Sequence, residues 1–265
     1  MKQNPLMYAI IGDIVGSRYE REYFKTRKVK VSPEDLQDLM REDCTFTDDT
    51  VLTIAVAEAI LECPENPDFA KHIRIWIKKY PNAGYGGRLR KWVVGQADNN
   101  SFGNGAYMRI SPIYWAYNQY WKKAMMAKSI SCTHDHACSY LFIDYVLEPS
   151  GDFPTPLESQ RKLVSGEISI EDYHNHYHFD STCQGSVPEA IFVARNAETY
   201  EDCIKNAILL GGDTDTQAAI AGGIYGRLNQ PEIPENLYNW ALEKLPKDIK
   251  KVLDDFKSFV ETNGF

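Results

Sequence analysis

The stretch Leu209-Leu210-Gly211-Gly212-Asp213-Thr214-Asp215-Thr216-Gln217 joins an apolar segment to two closely spaced carboxylates. It runs on into residues 218–223, which are all small or apolar, and no further charge follows Asp215 until Arg227. The close spacing makes the two aspartates repel each other. The run of small residues predicts a tightly packed helix with little water near these charges. The amides of a helix N-terminus could offset part of this charge. A bound cation fits better, because Asp and Thr oxygens are hard ligands.

Taken alone, this stretch has other interpretations. An aspartate or threonine before a helix is most often an N-cap. A calcium-binding EF-hand loop that began at Asp213 would need glycine at its sixth position and glutamate at its twelfth. Those positions hold Ala218 and Ile224, so the EF-hand is excluded.

A second acidic cluster, Thr47-Asp48-Asp49-Thr50, precedes the segment 51–61. That segment is apolar on nearly all sides, which predicts a central helix. Each cluster could be an ordinary helix start with favourable dipole charges. Together they supply four carboxylates without a Lys or Arg inside either cluster, and about two divalent ions would neutralise them. Because neither cluster contains His or Cys, magnesium or manganese is favoured over zinc.

The apolar segment 8–19 ends at Glu20, where the sequence becomes hydrophilic. Glycines at positions 12 and 16 predict a buried helix against which another backbone packs closely. Without further context Glu20 reads as a surface glutamate. We expect residues 21–43 to form a surface loop region, with a short helix that starts at Pro33 after an N-cap at Ser32.

Composition narrows the possible partners and compartment. The net charge of −8 argues against a nucleic-acid backbone as the main partner. No run of about 20 apolar residues exists, so we expect no membrane span. The apolar start is interrupted by Asp13 and lacks a small-residue cleavage site, which argues against a signal peptide. Six scattered cysteines without a CxxC pair indicate a reduced, cytoplasmic compartment.

Helical periodicity dominates the chain, and no segment alternates as a strand would. The predicted helices are an amphipathic one over 69–80, an aromatic-rich one over 112–127, one over 137–146, one from a capping box at Ser186 through Ala194, one from Thr199, and two at the C-terminus. Residues 147–183 are polar and broken, which indicates an insertion containing the solvated histidines His174, His176 and His178. The prediction is a single all-α domain over residues 1–265.

Two glycine-rich loops could turn backbone amides toward a phosphate. They are residues 81–88 and 98–106. Phe102 in the second loop could stack on a base or fill the core. His134 is expected to cap a helix or lie in the core, because no third soft ligand for zinc lies at a useful spacing.

With these motifs in order, the chain resembles the ADP-ribosylglycohydrolases of the dinitrogenase-reductase-activating glycohydrolase type. The resemblance runs from Gly12 to about Gly226. It is carried by Gly12-Asp13 through Glu20, Thr47-Asp48-Asp49-Thr50, Ser101-Phe102-Gly103-Asn104-Gly105-Ala106, Thr133-His134 and Gly212-Asp213-Thr214-Asp215-Thr216. It implies a compact, single-domain, all-helical fold with two magnesium ions, or manganese, in a central cleft.

The resemblance also implies roles for individual residues. The metal ligands would be Thr47, Asp48, Asp49, Asp213, Asp215 and Thr216. The substrate would be held by Asp48, Ser101, Phe102, Gly103, Asn104, Gly105, Ala106 and His134, with Phe102 on the adenine and His134 near the phosphates. Glu20 matches a glutamate that guards the metals and the scissile bond. Either Glu20 or an aspartate could activate the water, and we favour Asp213 as the base with Glu20 as gate or acid.

The implied activity is magnesium-dependent cleavage of the glycosidic bond at the distal ribose of ADP-ribose. The substrate would be an ADP-ribosylated protein, linked through serine or arginine, or a small ADP-ribosyl conjugate; Glu20 favours the O-linked type. Nucleic acid would enter only as a modified substrate, and the protein is expected to be a monomer. A non-catalytic ADP-ribose-binding protein on the same scaffold is the alternative, although no ligand carboxylate has been lost. An isoprenoid synthase is excluded, because Asp48-Asp49 lacks the third aspartate of its motif.

Overall fold

The computed structural model describes residues 3–26, 31–147 and 158–263. Across these residues the regular secondary structure is entirely helical. None of these residues forms a strand, and their β-type backbone pairing is limited to isolated bridges of Asn100 with His134 and of Gly103 with Thr182. The prediction of an all-α fold is therefore confirmed. None of the helices in the described ranges is long and apolar enough to cross a membrane.

The α-helices are numbered in chain order. They are α1 (Met7–Thr26), α2 (Asp48–Glu62), α3 (Phe69–Lys79), α4 (Gly87–Val93), α5 (Ser111–Ala116), α6 (Gln119–Ser131), α7 (Ile143–Leu147), α8 (Glu158–Val164), α9 (Ile170–His174), α10 (Cys183–Asn196), α11 (Tyr200–Leu209), α12 (Thr214–Asn229), α13 (Glu235–Glu243) and α14 (Lys247–Asn263). Short 3-10 helices occupy Pro33–Leu36, Asn104–Ala106 and Ala137–Tyr140.

The contact between α1 and α12 brings two backbones together. A Cβ atom at Gly12 would lie 2.2 Å from the carbonyl oxygen of Ala218, and one at Gly16 would lie 2.5 Å from that of Thr214. No side chain fits in either place, as the glycines in the sequence predicted. The contact places the buried Asp13 of α1 beside the first turn of α12.

The helix α2 is buried along almost its whole length and packs against α3, α5 and α14. Thr47 begins it as the N-cap, and the Thr47 hydroxyl accepts the backbone N–H of Asp49. The predicted central helix is therefore confirmed. On the other side of the site, α11 ends before Gly211, whose φ of 82° suits glycine, and the chain turns there into α12.

Several predicted helix boundaries were wrong. The helix α1 continues to Thr26 through part of the expected loop, because the ring of Tyr23 stacks on Phe179 with centroids 4.3 Å apart. The predicted helix 112–127 is two helices, since the Asn118 side chain accepts the N–H of Trp121 and starts α6. The predicted helix 137–146 is a 3-10 turn followed by α7.

The expected capping box at Ser186 was also wrong. Thr182 caps α10 instead, because its hydroxyl accepts the N–H of Gly185, and Ser186 lies inside the helix. The predicted cap at Thr199 is confirmed by its bond from the N–H of Asp202. Part of the presumed insertion lies outside the described residues, and the remainder contains α8 and α9. His176 and His178 are exposed, as expected, but His174 ends α9 and is half-buried.

Candidate functional site

The two acidic clusters meet where α2 and α12 begin. One carboxylate oxygen from each of Asp13, Asp49 and Asp215 lies within 4.8 Å of the others. A second group with the same spacing comprises Glu20, Asp213 and Asp215, so Asp215 belongs to both. The hydroxyl of Thr216 donates to Asp49 Oδ2 at 3.2 Å and joins the two clusters directly.

Asp13 is a site residue that sequence reasoning missed. Its side chain is fully buried and accepts the backbone N–H of Thr47 at 2.9 Å and that of Thr50 at 3.0 Å. The hydroxyls of both threonines also donate to it. The signal was a lone carboxylate inside the apolar segment Ile10-Ile11-Gly12-Asp13-Ile14-Val15. In the sequence, this residue interrupts the apolar start and belongs to the family motif Gly12-Asp13 through Glu20, and neither feature predicts a role for its side chain.

Burial and mutual repulsion make these carboxylates hard to ionise when no cation is present. Burial, followed by the nearby charge of Asp215, raises the pKa of Asp13 to about 7. The same two causes raise the pKa of Asp49 well above its usual range. For Asp215, burial and then the charge of Asp213 raise the pKa to about 8. A cation between these groups would remove the repulsion that causes part of each shift.

The donor set fits a metal ion. Asp49 Oδ1 is buried and receives no hydrogen bond from the described residues, whereas buried polar atoms usually have a partner. Carboxylate and hydroxyl oxygens are the ligands that hard divalent cations prefer. The cluster can therefore hold a cation at the junction of α1, α2 and α12.

A cavity of about 320 Å³ extends from this cluster to the loop 101–105. The predicted site residues that line it are Glu20, Asp48, Asp49, Ser101, Gly103, Asn104, Gly105, His134, Asp213, Asp215 and Thr216. Thr47, Phe102 and Ala106 are not among its lining residues. Thr47 and Ala106 are buried, while Phe102 is 49% exposed and its ring centroid lies 5.5 Å from that of His136.

The loop 101–105 is bonded through Asn104 to the acidic cluster and to Ser181. The amide of Asn104 donates to Asp213 Oδ2 at 2.8 Å, which orients that carboxylate. The backbone N–H of Asn104 donates to the carbonyl of Ser181 at 2.8 Å. His134 lies beneath the loop, 2.7 Å from the hydroxyl of Thr133 through Nδ1. Burial lowers the pKa of His134 well below its usual value, so the ring is neutral.

Further lining residues come from the first glycine-rich loop, 81–88, whose amides were predicted to face a phosphate, and from parts of the chain to which the sequence assigned no role. Gly84, Gly86, Gly87, Arg88 and Trp92 form one wall of the cavity. Phe179 and Ser181 come from the presumed insertion and lie on the wall near Phe24 of α1. The insertion therefore contributes to the cavity and contacts the helix that carries Glu20.

Comparison with known proteins agrees with this arrangement. The family model described as ADP-ribosylglycohydrolase matches residues 6–262. The chain is 25% identical to ADP-ribosylhydrolase ARH3 of Mus musculus, with 86% of this chain and 84% of that protein covered. It is 24% identical to ADP-ribosylhydrolase ARH3 of Bos taurus, with coverage of 86% and 85%. A solved structure titled ADP-ribosylglycohydrolase-related protein complex has the same fold, with a TM-score of 0.67, 19% identity, and 97% of this chain and 96% of that one covered.

Proposed function

The chain belongs to the ADP-ribosylglycohydrolase family of glycosyl-bond hydrolases, and on that premise we propose that it releases ADP-ribose by magnesium-dependent cleavage of the glycosidic bond at the distal ribose. The proposed substrate is an ADP-ribosylated protein or a small ADP-ribosyl conjugate. Glu20 favours O-linked substrates such as modified serine over arginine-linked ones. We further propose that the protein acts as a monomer in the cytoplasm.

One observation carries this proposal. A cavity has an acidic end, where Glu20 and the carboxylates of α2 and α12 converge, and a second end formed by the loop 101–105 above the neutral His134. An elongated ligand with a ribose at one end and phosphates further along would match these two ends. Backbone amides and a neutral ring can donate to phosphate oxygens, and the acidic end can hold cations.

The two predicted clusters have a proposed role as metal ligands. Asp48, Asp49, Asp215 and Thr216 would hold two magnesium ions, with Thr47 and Asp213 completing the ligand set. When bound, the ions would supply positive charge that holds and orients the ribose hydroxyls. The Mn²⁺ ion has similar ligand preferences and could replace Mg²⁺.

The remaining chemistry belongs to two carboxylates. We propose that Asp213, held by the Asn104 amide, accepts a proton from the attacking water. Glu20 lies within 4.8 Å of the Asp213 and Asp215 carboxylates and would act at the scissile bond as gate or acid. Cleavage of a glycosidic bond develops positive charge at the anomeric carbon, and nearby carboxylates stabilise that charge.

The test is a release assay with defined substrates. Wild-type protein would be incubated with peptides ADP-ribosylated on serine or arginine, with ADP-ribosylated nucleic acid, and with O-acetyl-ADP-ribose, in magnesium and in EDTA. Release of ADP-ribose from at least one substrate, abolished by EDTA and by Asp215→Asn, is expected. Tight binding of ADP-ribose without any release would favour a non-catalytic binding protein on the same scaffold.

A further inference from the structure

The residues that line the cavity are strongly unbalanced in charge. Six carry carboxylates: Glu20, Asp48, Asp49, Asp98, Asp213 and Asp215. Within the described part of the lining, Arg88 is the sole lysine or arginine, and His134 is neutral. Among the described lining residues, a guanidinium thus provides the only full positive charge that side chains offer to an anionic ligand.

Arg88 lies beside the loop 101–105. It is the second residue of α4, and its Nη2 contacts Asp98 Oδ1. The same Asp98 oxygen accepts the backbone N–H of Asn100 at 3.1 Å, directly before the loop begins. The charge of Arg88 also contributes to the lowered pKa of His134, so it acts at the loop end of the cavity.

The contact between Arg88 and Asp98 is easily exchanged. The two side chains are 47% and 67% exposed, and an exposed ion pair usually contributes less than about 1 kcal/mol. A guanidinium can form two parallel hydrogen bonds with a phosphate, which makes arginine well suited to such ligands. A diphosphate in this cavity would therefore compete favourably with a single exposed carboxylate.

We propose that Arg88 binds the diphosphate of ADP-ribose and exchanges its contact with Asp98 for that ligand. This inference rests on the proposed function, because it takes ADP-ribose as the ligand. Arg88 would make the site selective for diphosphate-containing ligands over adenosine or free ribose. Asp98 would hold the guanidinium at the entrance of the loop until the ligand arrives.

Calorimetric titration with ADP-ribose and with adenosine, in magnesium, tests this role. Arg88→Ala should weaken ADP-ribose binding about 10-fold or more and leave adenosine binding unchanged, and Arg88→Lys should lie between Arg88→Ala and wild type. Asp98→Asn keeps an acceptor for the Asn100 N–H but frees Arg88, so ADP-ribose should bind as tightly as in wild type or more tightly. Lys91→Ala is the matched control, because Lys91 is exposed on the same helix and does not line the cavity.

The outcomes separate this inference from the proposed function. If Arg88 only braces the rim, Arg88→Ala and Asp98→Asn should weaken binding of both ligands alike, which would overturn the assignment. Unchanged ADP-ribose binding in Arg88→Ala, or no ADP-ribose binding by wild type, would overturn it as well. Arg88-dependent binding without hydrolysis of any substrate would overturn the proposed function and leave the role of Arg88 intact.

Discussion

The carboxylate of Asp13 in α1 accepts both the backbone N–H and the hydroxyl of Thr47, at 2.9 Å and 2.7 Å. Thr47 is the N-cap of α2, so this contact fixes the start of α2 against the middle of α1. Asp49 lies two residues further along and joins Asp13 and Asp215 in one acidic group. The position of a candidate metal ligand therefore depends on a hydrogen bond between two buried residues.

Replacement of Asp13 by alanine should destabilise the fold more than replacement by asparagine. Asp13→Ala would leave the buried N–H groups of Thr47 and Thr50 without an acceptor, at a cost of about 3 kcal/mol or more. Asp13→Asn keeps one acceptor oxygen for them and should cost much less. Urea unfolding of both variants measures the difference. Equal stability of the two variants would show that these hydrogen bonds contribute little.

Metal binding should depend on Asp215, the residue shared by both acidic groups. Asp215→Asn should remove most magnesium affinity and nearly all turnover while the helical fold remains intact. In wild type, magnesium should raise the unfolding temperature, because a ligand that binds only the folded state stabilises it. Calorimetry and circular dichroism measure both effects. Unchanged magnesium binding in the variant would remove Asp215 from the ligand set.

Phe102 is expected to stack on the adenine although its ring lies outside the cavity lining in this structure. Phe102→Ala should then weaken ADP-ribose binding by about 1–3 kcal/mol, the range for base–aromatic stacking, without a change in magnesium stoichiometry. Trp121→Ala is a suitable control, because both residues are 49% exposed and Trp121 lies in α6, outside the loop 101–105. Wild-type affinity in Phe102→Ala would assign the ring to its contact with His136 instead.

Glu20 should affect turnover more than binding. Burial, together with the charges of Asp215 and Asp213, raises the pKa of Glu20, as expected for a carboxylate held beside other acids. Glu20→Gln should lower turnover about 10²-fold or more, the usual size of an acid–base contribution, and change ADP-ribose binding less. The exposed Glu22 of the same helix provides the control Glu22→Gln. Equal rates for Glu20→Gln and wild type on every linkage would also remove the reason to prefer O-linked substrates.

The stability of the protein should depend on pH through Glu189, away from the acidic clusters. Glu189 is buried in α10, and its Oε1 accepts the hydroxyl of Tyr173 at 2.6 Å and the amide of Gln160 at 2.7 Å. Burial raises the pKa of Glu189 from 4.5 to about 7. The folded state therefore holds the carboxyl proton of Glu189 more tightly than the unfolded state does. The contribution of this proton to the free energy of unfolding is complete below pH 4.5 and is lost as the pH rises through 7.

Glu189→Gln should remove this dependence. Relative to Glu189→Gln, the wild-type protein should lose about 3 kcal/mol of unfolding free energy between pH 4.5 and pH 7. Urea unfolding of both proteins across that range measures the loss, with the exposed Glu198→Gln as control. Parallel curves for wild type and Glu189→Gln would mean that Glu189 titrates with an ordinary pKa.

The all-α fold could be predicted because helical periodicity is a local pattern. The meeting of the two acidic clusters could be predicted only from their charge, because four carboxylates without a nearby Lys or Arg need shared cations. Thr47 and Thr199 cap their helices as expected, since capping depends on neighbouring residues. Asp13 and Phe179 were missed as site residues because their positions depend on contacts between distant segments. The loop 81–88 was predicted to offer backbone amides to a phosphate, but no role was predicted for the side chain of Arg88. The extension of α1 to Thr26 has the same origin, in the stacking of Tyr23 on Phe179.

The close approach of α1 and α12 at Gly12 and Gly16 has a consequence for sequence divergence. The glycines that contain no functional group set how closely Asp13 and Glu20 of α1 approach the aspartates of α12. A methyl group at Gly12 would meet the Ala218 carbonyl oxygen at 2.2 Å, so α12 would have to move and carry Asp213 and Asp215 with it. A mutational survey should find these glycines as intolerant as the aspartates, and a homologue could lose activity with every acidic residue retained.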